Sequence, residues 1–274
     1  MSNVRKRNLT SGDLTADRRA DYAAQLSEAG EHSAAAELME QALDLAPDWA
    51  AGWFRLGEYR QKAGLPDAGA AYRRTVELAP DDIFGAGLRL AILGQAQQPA
   101  LPPSRYVEGL FDDYAERFDT ALVERLAYSV PGKLMDLIRR NIQPPYGTVV
   151  DLGCGTGLFG AEIRGLCTRL EGFDLSDNML AKASGKALYD FVGKADLSLP
   201  PPESGLFDNR PAHHADLVVA ADVMMYLGDL DAAFANAAGL LKPSGTFAFS
   251  VEKATTGTGY EPFWIRIGIP IPVR

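Results

Sequence analysis

Cysteine is nearly absent: Cys154 and Cys167 are the two in 274 residues. They are too few for a disulfide framework and wrongly placed for a zinc knuckle, which makes a reducing cytoplasm the expected location and both residues free thiols. Histidine is scarce as well. His213 and His214 are adjacent, but no third ligand stands at a suitable spacing, so no metal is expected. Basic charge is outweighed, with 27 Lys and Arg against 36 Asp and Glu, a formal charge of −9. Such a chain repels nucleic-acid backbones on average, and none is expected as a partner. The one basic run, Arg5 to Arg7, lies in a polar leader, Ser2 to Thr15, that lacks the apolar segment of a secretory signal and reads as a frayed tail. Long apolar runs are missing too. The longest uncharged stretch, Leu90 to Ser104, has 15 residues and is rich in Gln and Pro, whereas a membrane span needs roughly 18 or more apolar ones. What remains is 47% apolar and 23% charged, the composition of a globular chain, long enough for one large or two modest domains.

The N-terminal third carries a period. Gly30 recurs as Gly64, 34 residues on, and Leu45-Ala46-Pro47-Asp48 recurs as Leu78-Ala79-Pro80-Asp81, 33 residues on. Trp53, Leu56, Gly57, Ala68, Tyr72 and Pro80 stand in a spacing that resembles the tetratricopeptide repeat, with a degenerate first copy from Ala16 to Trp49. A helix pair of this size cannot bury its apolar face alone. Small residues such as Ala35 and Ala68 let neighbouring pairs approach, and Ile83 to Gln95 is expected as a capping helix. The module, residues 16–95, offers a groove for a protein partner, or simply packs on the next domain.

Residues 96–104 read as a proline-rich linker. Val107, Leu110, Phe111, Tyr114 and Phe118 then recur at steps of three and four, predicting an amphipathic helix with Asp112, Asp113 and Glu116 facing away. Its aromatic stripe serves as core or as a cover over a cofactor, Tyr114 being the candidate contact. A second helix is expected from Leu122 to Arg140, ending at Pro144 and Pro145.

From Tyr146 short apolar runs alternate with helical stretches, the mark of a parallel sheet with crossover helices. The first strand, Thr148 to Leu152, runs into Asp151-Leu152-Gly153-Cys154-Gly155-Thr156-Gly157 and then a helix from Leu158 to Leu166. Glycines 153, 155 and 157 put no Cβ between backbone and ligand, and the helix start suits an anion. Gly155 to Gly160 also satisfies the dinucleotide pattern G-x-G-x-x-G. A second strand, Leu170 to Phe173, ends in Asp174, 19 residues beyond Gly155. A carboxylate there can accept two ribose hydroxyls of a nucleotide-type ligand. Tyr189 to Gly193 is expected as the third strand. Asp216 to Ala221, a continuous apolar run, is a strand buried on both faces. It leads to Asp222 and Tyr226, which should line the reaction side of the sheet, as packing residues or as acceptor-side groups.

The series VVDLGCGTG, GFDLSDNML and DLVVAADV resembles class I S-adenosylmethionine-dependent methyltransferases over roughly Tyr106 to Lys253. The resemblance implies a Rossmann-like sheet and S-adenosyl-L-methionine as cofactor, with Asp151, Gly153, Cys154, Gly155 and Gly157 as the donor loop. It also implies Asp174 on the ribose, Leu175 and Met179 flanking the adenine, Asp196 with Leu197 at the adenine amino group, and Asp222 nearby. No universal catalytic residue is required, because the sulfonium carbon is already electrophilic; Asp222 and Tyr226 are the candidates should the acceptor need to lose a proton. The Asn/Asp-Pro-Pro-aromatic pattern of amino methyltransferases is absent, which disfavours an exocyclic nitrogen acceptor. A small molecule and a protein side chain both remain as acceptors. The rival readings are a non-catalytic repeat scaffold with a degenerate donor domain and, third, an NAD-dependent oxidoreductase.

After a helix from Leu230 to Leu241, a turn at Leu241 to Gly245 and a fifth strand at Thr246 to Val251, the tail is expected to be irregular, residues 254–274, with at most one edge strand. The inferred C-terminus is truncated or shifted relative to the family, leaving the fifth strand's edge open to aggregation or dimer pairing.

Overall fold

Asp13 starts the first helix. Its Oδ1 accepts hydrogen bonds from Thr15 N and Ala16 N at 2.8 and 2.9 Å, satisfying two of the donors that a helix start leaves without partners. The segment read as a frayed leader is therefore helical from Leu14 onward. In the computed structural model, which describes residues 10–97, 102–115, 129–208, 210–253 and 261–263, the chain divides into two units, Met1–Tyr106 and Val107–Arg274.

The first unit is helical: α1 (Leu14–Glu28), α2 (His32–Leu43), α3 (Ala50–Lys62), α4 (Ala68–Leu78) and α5 (Ala86–Ile92). Each packs on the next in sequence. Alanines supply the contact faces. Ala16, Ala20 and Ala23 of α1 and Ala35, Ala36 and Ala42 of α2 are buried around Met39, so the helices approach with little side-chain entropy lost. Helix α5 is shorter than the expected Ile83–Gln95. Asp82, in the left-handed region at φ 46°, accepts from Ala86 N and Gly87 N and so begins the helix at Ala86.

Gly57 lets α3 and α4 meet. A Cβ there would lie 2.5 Å from the Tyr72 ring, which is fully buried with its hydroxyl donated to Gln61. Glycine to alanine inside a helix ordinarily stabilises by about 0.5–1 kcal/mol. Overpacking a buried ring costs about 1–3 kcal/mol, and that term wins here. Gly57→Ala is expected to lower the unfolding free energy by about 1 kcal/mol in a urea titration; a stabilised variant would show that the ring yields.

The second unit contains α6 (Ser104–Tyr114, whose first three residues belong to the first unit) and α7 (Val130–Asn141), then β1 (Tyr146–Leu152), α8 (Leu158–Ile163), β2 (Cys167–Asp174) and α9 (Asp177–Gly185). It continues with β3 (Phe191–Lys194), β4 (Ala215–Ala220), α10 (Asp231–Leu240), β5 (Leu241–Phe249), β6 (Val251–Lys253) and β7 (Glu261–Phe263). Of the helix expected over Leu122–Arg140, the part before residue 129 lies outside the described residues, as does Phe118. Strands β1 to β5 form one sheet in the order β3-β2-β1-β4-β5, all pairs parallel. Chain order reverses between β1 and β4, which opens a crevice past their carboxyl ends. Val149, Val150, Leu217, Val218 and Val219 are fully buried, as strands covered on both faces must be.

Two expectations about the strands need correction. The third strand begins at Phe191, and Tyr189 is instead folded over the glycines of the loop. The segment Leu241–Gly245 is no separate turn but the start of β5. The ladder steps from Ala215 opposite Leu241 to Leu217 opposite Thr246, so the Pro-Ser-Gly residues are taken up in an irregularity beside the strand pairing. Of the tail, residues 261–263 are described, and they form one short strand, β7. Val251–Lys253 and Glu261–Phe263 pair antiparallel in a ladder separate from the main sheet. A two-stranded ribbon has open outer edges, where the missing N–H of Pro262 is tolerated. No helix among the described residues is long and apolar enough to cross a membrane.

Candidate functional site

Where β1 and β2 end, the chain makes the Gly153–Gly157 loop. Gly153, Gly155 and Gly157 all have positive φ, at 66°, 53° and 90°, a conformation that a Cβ strains. At Gly153 the added atom would also lie 2.3 Å from Val223 Cγ2. The loop's N–H groups are mostly committed within the fold. Gly155 N donates to Asp174 Oδ2 at 2.8 Å and Gly157 N to the Cys154 carbonyl at 2.8 Å, and α8 has only six residues. The anion expected at this helix start therefore finds two of its donors already taken.

Asp174 lies at the centre of the site. Its Oδ1 accepts from Ser176 N at 2.8 Å, so both carboxylate oxygens are held by backbone. Burial pushes this carboxyl up, while the N–H groups of Ser176, Gly155 and Leu175 and the Lys194 charge oppose the rise. A cavity of about 480 Å³ opens beside it, lined by Gly153, Gly155, Asp174, Leu175, Met179, Ala195, Asp196, Leu197, Asp222, Val223, Tyr226 and others. That volume lies in the range of small-molecule sites, about 300–1,000 Å³. Its described walls are apolar, and among the described residues the charged side chains that line it are the three carboxylates of Asp174, Asp196 and Asp222. Asp196 Oδ1 accepts from Ser198 N and Ser198 Oγ at 3.0 and 2.6 Å, an Asx-type turn that fixes its direction.

Asp222 is the lining residue other than glycine with backbone in the left-handed region, φ 54°, a strain that is retained where surrounding contacts over-determine it. Ser250 supplies those contacts. Its buried Oγ accepts from Asp222 N at 2.7 Å and donates to Asp222 Oδ1 at 2.9 Å. Tyr226 packs edge-on against Phe111, ring centroids 5.0 Å apart, and both rings line the cavity. Tyr226 is thus a packing residue and a wall of the site together.

Asp151 and Cys154 sit behind the loop rather than in the large cavity. Asp151 is 1% exposed; burial pushes its carboxyl up to about 7, the Tyr189 hydroxyl opposing and the Asp174 charge adding to the rise. Cys154 is buried, and burial together with Asp174 and Asp151 holds its thiol well above the ordinary range, so it is a packing residue and no nucleophile. Tyr114 ends α6, and its side chain lies outside the described residues.

The acids of α6 correct the expected amphipathic pattern. Asp112 is 4% exposed; its Oδ1 accepts from Ser176 Oγ and, at 3.2 Å, from Asn178 N. Glu108 pairs with Lys194 at 2.7 Å, and Lys194 reaches Asp177 at 3.1 Å. The helix has two occupied faces: Val107, Leu110 and Phe111 line the cavity, while Glu108 and Asp112, four residues apart, meet β3 and the start of α9. Asp113 and Glu116 lie outside the described side chains. Ser176 also caps α9, its Oγ accepting from Met179 N at 3.1 Å, so one hydroxyl serves the helix start and holds Asp112.

The histidine pair is engaged structurally. His213 Nδ1 lies 2.9 Å from the Leu241 carbonyl and His214 Nε2 lies 3.1 Å from Glu171 Oε2. No cluster of three metal-ligating side chains occurs among the described residues.

Residues 150–247 match the family model of a methyltransferase domain. Human methyltransferase-like protein 27 is 35% identical over 104 residues, 36% of this chain and 42% of that protein. The biotin biosynthesis bifunctional protein BioHC of Saccharophagus degradans is 35% identical over 142 residues, 50% of this chain and 24% of that protein. A chain from the complex between the Haloferax volcanii Trm112 methyltransferase activator and a methyltransferase aligns at 26% identity and TM-score 0.42, covering 52% of this chain and 59% of its own. The chain spans less than half the length of the curated relatives it matches. With that family match lying over the five-stranded parallel sheet and its glycine loop, the second unit has a Rossmann-like methyltransferase fold.

Proposed function

We propose that this chain transfers a methyl group from S-adenosyl-L-methionine to a small-molecule or protein acceptor. The observation that carries the reading is the charge of the site: a cavity at the strand-order reversal whose charged lining residues, among those described, are Asp174, Asp196 and Asp222. A ligand with a sulfonium, an ammonium and a ribose diol suits three carboxylates. A dinucleotide pyrophosphate does not, the more so because the Gly155 N–H that would meet it is donated to Asp174. An orphaned atom fits the same ligand. Among the described residues Asp151 Oδ1 is buried with no hydrogen-bond partner, and Asp151 lines a pocket of about 40 Å³ with Gly153, Gly155 and Thr156, where a cationic group of the donor would satisfy it.

When bound, the donor supplies an electrophilic methyl group on sulfur. Asp174 would take the ribose hydroxyls; Leu175, Met179 and Leu197 would sandwich the adenine, with Asp196 at its amino group. Phe111 and Tyr226 exclude water from one wall, and Asp222, held by Ser250, is the group placed to accept a proton from an acceptor hydroxyl. We also read α1 to α5 as tetratricopeptide-type pairs that present a groove to a protein partner, supported by the 33- and 34-residue recurrences. Titration calorimetry tests the donor assignment. S-adenosylhomocysteine is expected to bind with a dissociation constant in the micromolar range or below while NAD gives no heat; preference for NAD would overturn it.

A further inference from the structure

Tyr189 belongs to no regular element and is more than half-buried, and glycines make its seat. A Cβ at Gly160 would lie 2.5 Å from its hydroxyl oxygen, one at Gly172 2.8 Å from its ring, and one at Gly157 3.0 Å. These glycines come from the loop, from α8 and from the middle of β2, so the ring lies across the back of the loop. Its hydroxyl donates to Asp151 Oδ2 at 2.7 Å, leaving Oδ1 as the oxygen without a partner.

We infer that Tyr189 is the positioning residue of Asp151: it anchors one carboxylate oxygen so that the other faces the small pocket behind the glycine loop, and it keeps that carboxylate ionised for the donor's cationic end. The inference rests on the donor assignment above for the ligand, but not for the Tyr189–Asp151 linkage. The reasoning is electrostatic. A carboxylate fully removed from water prefers to be neutral, and a hydrogen bond donated to it favours the charged form. The other titratable groups facing Asp151 are Asp174 at the end of β2 and the Cys154 thiol. Burial and the Asp174 charge disfavour its ionised form, while α7 and α8 present Pro131 and Phe159 to the pocket. Tyr189 is the group that opposes them, and with Asp151 pushed up to about 7 the protonation state is decided near neutral pH. Protonating Asp151 removes the charge a cationic ligand needs, so affinity falls as pH drops through that value. Without the Tyr189 hydroxyl the fall begins at higher pH.

The test pairs Tyr189→Phe, which keeps the ring in its seat, with Asp151→Asn, using the full chain. Calorimetric titration with S-adenosylhomocysteine from pH 5.5 to 9 is expected to show wild-type affinity dropping on the acid side. Tyr189→Phe should shift that midpoint upward by about one pH unit and weaken binding about fivefold at pH 7, and Asp151→Asn should bind weakly with a flat profile. In parallel, carbon-13 NMR of the aspartate carboxyls in the ligand-free protein should show the Asp151 titration moving upward in Tyr189→Phe. Coincident profiles for wild type and Tyr189→Phe, or a loss equal at every pH, would overturn the inference. If the wild type fails to bind the probe while the NMR titration still moves, the linkage stands and the donor assignment falls.

Discussion

Asp174→Ala is expected to weaken S-adenosylhomocysteine binding by about 3 kcal/mol, on the order of a hundredfold, because a charged acceptor of two hydrogen bonds is worth about 1.5–3 kcal/mol per bond. Stability should fall as well. The carboxylate is the partner of Gly155 N and Ser176 N, and each donor stranded by its loss costs about 1–3 kcal/mol if it stays buried. Asp174→Asn separates the two effects. The amide oxygen keeps one of the backbone bonds, so thermal unfolding should fall between wild type and alanine, whereas donor affinity should remain close to that of the alanine variant because the charge is gone. Calorimetry and thermal melts on the same samples check this. An alanine variant that binds with wild-type affinity would remove Asp174 from the site.

The second large effect concerns stability. Glu171, in the middle of β2, is 1% exposed; it pairs with Arg169 Nε and Arg210 Nη1, each at 2.6 Å, and with His214 at 3.1 Å. The Arg210 guanidinium also stacks on Phe191 at 3.4 Å from the ring centroid. Burial alone would raise the Glu171 carboxyl, but Arg169, His214 and Arg210 together hold it below its ordinary value. Arg210→Ala removes the better-buried cation and the stacked lid over Phe191. Breaking a buried pair costs about 3–5 kcal/mol; since Arg169 and His214 remain, a loss of about 2–3 kcal/mol is expected in urea unfolding at pH 7. The pH dependence follows from the sign of the shift. A carboxyl lowered on folding contributes stability that is present above its unfolded value and lost as pH falls through its folded value. The gap between wild type and Arg210→Ala should therefore narrow below about pH 4, near the ordinary glutamate value. A gap unchanged at low pH would assign the loss to ring stacking instead.

These two positions differ in how far they could be read from residue order. The place of Asp174 at the cavity was legible because it is local: a strand ends, an acid follows, and a glycine loop stands before it. Glu171 gave no such signal. A charged residue in a strand bordered by Leu170 and Phe173 says only that something must neutralise it, and Arg210 and His214 arrive from 39 and 43 positions away. Asp112 shows the reverse failure. Helical periodicity puts it on the face away from the apolar stripe, yet that face is buried rather than solvated. That face is met by Ser176 and Asn178, and only the packing of α6 beside α9 could show it.

Residue order by itself determined the alternation of strands and helices, the glycines at positive φ and the carboxylates at strand ends, because each depends on covalent geometry or on nearest-neighbour periodicity. Tertiary structure alone decided which groups face one another across the sheet: that Tyr189 leaves the third strand to lie over three glycines, that its hydroxyl holds Asp151, and that Ser250 holds the strained Asp222. Those contacts join residues 17 to 38 positions apart. Their energies come from burial and hydrogen-bond geometry, which exist only once the strands have paired.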